Sequence, residues 1–199
     1  MPEVSLTDFV DFAMASGPPR VTKVRQLKTR GDYDPATDFW KRLRDGIETF
    51  HREGKDRAFL DEIRTGLTDQ KKLTAYPVLI TAYRRFLGRK KIEWFEPPFT
   101  RWSHAGLTVR VNPELGLRID GNPYAIKLYF KKEKLSKRKV DSVLHVMDTA
   151  LPRPAGRTFA VAVLDVPRAR LVVPTVPIPG LDLLLKSEAA AFIQIWQGL

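Results

Sequence analysis

Residues 107–130, LTVRVNPELGLRIDGNPYAIKLYF, decide the fold. Leu107, Val109 and Val111 alternate with Thr108 and Arg110. Leu115, Leu117 and Ile119 alternate with Gly116 and Arg118. Tyr124, Ile126, Leu128 and Phe130 alternate with Ala125, Lys127 and Tyr129. An apolar residue at every second position marks extended chain with one buried face. Asn112-Pro113-Glu114 and Asp120-Gly121-Asn122-Pro123 supply turn residues between the three runs, and Asp-Gly is among the strongest hairpin dipeptides. The stretch predicts three strands in a meander, with Arg110, Arg118 and Lys127 on its polar face. Like charges so placed repel unless acids or an anionic ligand lie among them.

Upstream of this stretch the chain reads as helical. Residues 5–15 form a short amphipathic helix, with Ser5 and Asp8 as a capping pair and Phe9, Val10, Phe12 and Met14 on the apolar side. Gly17-Pro18-Pro19 stops it. The segment with Arg20, Lys23, Arg25, Lys28 and Arg30 has no clear period and reads as a loop or an extended arm. Asp34-Pro35 is a helix start, and Phe39, Trp40, Leu43, Ile47 and Phe50 follow at helical spacing up to Gly54. A second helix is expected over Asp56–Arg64. A third opens at Thr68 and carries Tyr76, Ile80, Tyr83 and Phe86, with a kink or break expected near Ala75–Tyr76 ahead of Pro77. The aromatics of these helices are read as core.

Strand IEWF (92–95) and a loop from Thr100 to Gly106 with Trp102 come next, Trp102 lying as a lid over the core edge. After the three central strands, Ser136 caps a helix reaching Ala150. Residues 159–164, FAVAVL, form a buried strand that returns at 170–173, and a nearly uncharged last helix spans 187–197. The fold class is therefore α+β. A helical lobe over 1–91 precedes a mixed or antiparallel sheet domain, flanked by helices, over 92–199.

The 34 Lys and Arg outnumber the 23 Asp and Glu, giving +11. An excess of that size points to a polyanionic partner. It is concentrated in two runs. Arg84, Arg85, Arg89, Lys90 and Lys91 end the third helix, where the dipole favours cations but needs fewer. Lys131, Lys132, Lys134, Lys137, Arg138 and Lys139 follow the central strands. Three of them crowd a helix N-terminus, where the dipole disfavours them and phosphates would relieve the conflict. Both runs are read as nucleic-acid contacts, with DNA ahead of RNA.

The chain has no cysteine, which excludes disulfides, zinc ribbons and thiol catalysis. Gly-x-Ser-x-Gly and glycine-rich phosphate loops are missing, and three scattered histidines give no metal spacing. The first residues carry Glu3, Asp8 and Asp11 and no basic leader, so no signal peptide is expected. No membrane contact is expected either, and the chain reads as cytoplasmic.

Helices, then a strand meander with an acid near its second turn and a lysine in the next strand, then a helix and more strand, resemble the PD-(D/E)XK nuclease superfamily, the restriction-endonuclease-like fold, over residues 92–173. In that family an aspartate on the second core strand and a Glu/Asp-x-Lys on the third bind magnesium and activate water. The resemblance implies the first role for Asp120 and the lysine role for Lys127. Ala125 stands where the family has a carboxylate, and Glu114, on the adjoining turn, is the acid left to replace it. A catalytically degenerate nucleic-acid-binding protein without cofactor is the leading expectation. A magnesium-dependent nuclease is the second. The third is an interaction subunit of a multi-protein system, such as a defence system, meeting a protein partner or a second copy through its C-terminal helix.

Overall fold

The hairpin at 120–121 sits where the turn chemistry requires. Asp120 and Gly121 both have positive φ, 48° and 87°, which the two-residue turn needs at both positions. It joins β5 (Leu115–Ile119) to β6 (Asn122–Tyr129), with Ile119 opposite Asn122 and Leu115 opposite Ile126. The computed structural model describes residues 1–31, 38–153 and 158–199. The expected helix start at Asp34-Pro35 lies outside them.

In chain order the other elements are β1 (Glu3–Ser5), α1 (Leu6–Met14), α2 (Pro18–Thr29), α3 (Lys41–Arg52), α4 (Phe59–Glu62), α5 (Gln70–Leu87), β2 (Ile92–Trp94), β3 (Thr100–His104) and β4 (Leu107–Val111). After β6 come α6 (Lys137–Ala150), β7 (Ala160–Asp165), a 3-10 turn over Val166–Arg168, β8 (Arg170–Val172) and α7 (Leu181–Gly198). The class is α+β, with seven α-helices and two mixed sheets among the described residues. The larger sheet has the order β2-β5-β6-β7-β8; only β6 and β7 run parallel, as α6 between them requires. The smaller has the order β1-β4-β3, with β1 parallel to β4.

Helices cover both faces of the larger sheet. Ala125, Val161 and Val163 enter one core with Phe9, Phe12, Val24, Met147 and Phe192. Ile126, Leu128, Ala162 and Leu164 enter the other with Leu43, Ile47, Leu60, Tyr76, Tyr83 and Phe86. The first ninety residues thus divide between the two faces: β1, α1 and α2 on one, α3 to α5 on the other.

Several sequence expectations need correction. The three central strands are not one meander. Asn112-Pro113-Glu114 carries the chain from the smaller sheet to the larger, so β4 and β5 do not pair. Arg110 therefore lies on a different sheet from Arg118 and Lys127, which share a face of the larger sheet toward opposite ends of the hairpin; each is tied to a different acid, Glu3, Glu93 and Glu114. The basic segment 20–30 is helix α2. Pro18 and Pro19 open it rather than merely stopping α1, and tertiary ion pairs from Lys23 to Asp8 (2.7 Å) and from Arg20 to Glu188 hold it. The helix expected over 56–64 shortens to a single turn, α4. Residues 100–104 are strand β3, and Trp102 on it packs 5.4 Å from Phe9. Helix α5 runs unbroken through Pro77. Helix α7 begins six residues before the expected Ser187, because Leu181 and Leu185 already bury against the core.

One close approach fixes the edge of the larger sheet. Past β2 the chain crosses over Gly116, where a Cβ would lie 2.1 Å from the Phe95 carbonyl oxygen. Gly116→Ala is expected to cost about 1–3 kcal/mol, since backbone must move. Gly46→Ala, which meets only the Ile63 side chain, costs less. Urea midpoints of the two variants check the ranking.

Candidate functional site

The α5 run is built on a helix end. Asp69 caps the N-terminus through Lys71 and Lys72 N–H, and Gly88, at φ 48°, ends the helix. Arg84 is structural: it donates to Asp61 (2.6 Å) and to the Arg57 carbonyl (2.7 Å), and this hydrogen bond holds the Asp61 carboxyl below its usual range. Lys91 pairs with Glu93 at 3.2 Å. Arg85 meets only the Pro167 carbonyl (3.3 Å), and Lys90 only the Phe86 carbonyl and ring. Arg89 is exposed and meets no acid among the described residues.

The second run divides the same way. Ser136 caps α6 through Lys139 N–H. Lys131 and Lys139 converge on Asp11, and Lys137 pairs with Asp141 at 2.7 Å. Lys132, Lys134 and Arg138 are exposed and meet no acid among the described residues. The two runs, far apart in sequence, meet at the 3-10 turn. Arg85 donates to Pro167, and the next residue, Arg168, donates to the Lys132 carbonyl (2.9 Å) while pairing with Asp165 (3.2 Å). Arg168 escaped the sequence reading because nothing local places it beside Lys132.

The strand residues separate differently. Glu114 and Lys127 form an ion pair of 2.5 Å with only 9% and 13% of their side chains exposed. Lys127 Nζ also donates to the Asn112 carbonyl (3.0 Å), and Glu114 accepts the Leu128 N–H (2.8 Å). That N–H lies beyond the end of β5, so the carboxylate supplies the acceptor that the ladder lacks. Asp120 is at the opposite end of the hairpin, about 17 Å away at five residue steps. Its carboxylate accepts the Lys91 N–H (2.9 Å) and its own N–H donates to the Lys91 carbonyl, fixing the entry to β2. The structure therefore does not bring Asp120 to Lys127; it brings Glu114.

Nearby, burial pushes the Glu48 carboxyl up, against the pull of Arg52 and with help from Asp45, Glu96 and Glu114. Among the described residues no three acids or histidines are arranged to hold a metal ion. Both Glu114 oxygens are already engaged and Ala125 is a fully buried methyl, so the residues present do not fit a divalent ion.

Helix α7 buries Leu181, Leu185, Ala189 and Phe192 and leaves Leu183 and Leu184 exposed, as is Val176 ahead of it in the chain. No helix among the described residues is long and apolar enough to cross a membrane. No protein-family model, no curated protein and no solved structure matches this chain.

Proposed function

We propose that the protein binds nucleic acid, DNA ahead of RNA, through a strip of cations running from the end of α5 across the 3-10 turn to the start of α6. The observation that carries this reading is the meeting of the two basic runs at Arg168. Among the described residues Arg85, Arg89, Lys90, Lys132, Lys134 and Arg138 meet no carboxylate along it. Cations left without acids repel each other until an anion joins them, and phosphates released from their counterions bind such a strip with strong salt dependence.

A degenerate restriction-endonuclease-like scaffold goes with this proposal. Its support is the order α5, three antiparallel strands β2-β5-β6, helix α6 and the parallel strand β7, with a carboxylate–lysine pair at Glu114–Lys127. The lack of a second carboxylate at Ala125 favours binding over cleavage. The exposed apolar residues Leu183 and Leu184 of α7 favour a second reading, a protein partner or second copy at the C-terminal helix.

Lys132→Glu, Lys134→Glu and Arg138→Glu combined test the strip. With six phosphate contacts the log–log salt slope for duplex DNA is about −5, and the triple variant is expected to lower its magnitude by about 3. Unchanged affinity and slope would refute the site. A high 260/280 absorbance ratio of protein purified at low salt separates the nucleic-acid reading from the protein-partner reading.

A further inference from the structure

A concavity lies where α3, α5 and the edge strand β2 meet. It has a volume of about 280 Å³ and is lined by Phe50, His51, Leu87, Ile92 and Trp94, with Lys55, Arg57 and Lys90 around it. That volume is at the lower end of small-molecule sites, which start near about 300 Å³. The lining holds no carboxylate. Arg57 and Lys90 lie on the Gly88 and Phe86 carbonyls, which covers the negative end of the α5 dipole that would otherwise repel an anion. Arg57 uses one Nη for this, leaving its other N–H groups without a partner among the described residues. Among the described residues the Lys55 ammonium meets the exposed Glu53 at 3.1 Å and the ring face of Phe59. Trp94 is half-buried on β2, fixed opposite Leu117, and lines the pocket.

We infer that this pocket takes a nucleoside monophosphate, as the phosphate-bearing terminal nucleotide of a strand, with the base against Trp94 and the phosphate among Lys55, Arg57 and Lys90. The inference rests on the nucleic-acid reading, because Lys90 belongs to both the pocket and the strip. An aromatic platform accepts any base face, and three cations around it select for the phosphate. The small volume admits one nucleotide and excludes a longer segment.

Titration calorimetry with AMP, adenosine and inorganic phosphate, beside binding of a 5′-phosphorylated single strand, tests it. AMP is expected to bind at a ratio of one, and adenosine or phosphate alone to bind at least about tenfold more weakly. Trp94→Leu should weaken AMP about tenfold, the loss of one stacked base. Lys55→Gln, a change at a side chain with no buried contact, should weaken AMP while leaving the melting temperature unchanged. Strand binding without AMP binding at millimolar concentration overturns the pocket and leaves the strip standing. AMP binding without strand binding overturns the nucleic-acid reading and leaves a mononucleotide pocket. Phosphate binding as tightly as AMP overturns the assignment to a nucleotide.

Discussion

Glu114→Ala lowers the unfolding free energy by about 3–5 kcal/mol, the cost of leaving a buried charge without its partner. The carboxylate is nine-tenths buried and holds two partners, Lys127 Nζ and the Leu128 N–H. Its removal leaves an ammonium with only the Asn112 carbonyl and a strand N–H with no acceptor. An uncompensated buried charge costs far more than the pair contributed, because desolvation of the lysine is then offset by nothing. Lys127→Met is milder, since Glu114 keeps the Leu128 N–H. Joining Glu114→Gln to Lys127→Met removes both charges and keeps an acceptor, so it recovers most of the loss. Urea unfolding of the three variants measures the coupling. A Glu114→Ala midpoint within about 0.5 kcal/mol of the parent would mean that water replaces the pair and that it does not pin the crossover.

That pair also shows what the sequence did and did not disclose. The Asp120-Gly121 hairpin was legible because its requirement, positive φ at both residues, is local. Counting back from Ile119 opposite Asn122 then puts Glu114 opposite Lys127, so the register could have found the pair that a search for a strand-end aspartate missed. Asn112-Pro113 was harder. Turn chemistry is the same whether the chain doubles back or crosses to another sheet, and β4 is claimed by β1, a hundred residues earlier. Helix α2 was illegible for a related reason. It buries only Val24 and Leu27, and its other anchors, Asp8 and Glu188, lie on α1 and α7.

The basic runs could be counted but not sorted. Arg84 is neutralised by Asp61, Lys131 and Lys139 by Asp11, and Lys137 by Asp141; only the last is a local pair. Net charge counts the cations, whereas tertiary pairing decides which of them remain without an acid. Ends of separate elements brought together by packing made both the junction at Arg168 and the pocket at Trp94.

Acidification from pH 7 to pH 5 is expected to destabilise the fold by about 2 kcal/mol through one residue, His51. Its imidazole lies under Phe50 and against the buried Tyr83 hydroxyl, with Nε2 2.6 Å from that oxygen, and burial lowers its pKa to about 4. In the unfolded chain the same group titrates near about 6.5. Between these values the unfolded state holds more protons than the folded one, so stability rises with pH across the window. The contribution is complete above about pH 6.5 and is lost as pH falls toward 4, about 3 kcal/mol in all. Glu48, pushed up by burial, acts in the opposite sense at the lower edge. Asp8 lies outside the window: burial raises its pKa, but Lys23, Ser5 and Arg30 outweigh that and hold it low, so its contribution is lost only at more acidic pH. His51→Gln keeps an acceptor for Tyr83 and cannot titrate, so its urea midpoint should be nearly level between pH 7 and pH 5. A parent protein as level as the variant, or a His51 ring resonance titrating near pH 6.5, would show that the imidazole reaches water and takes up its proton without unfolding.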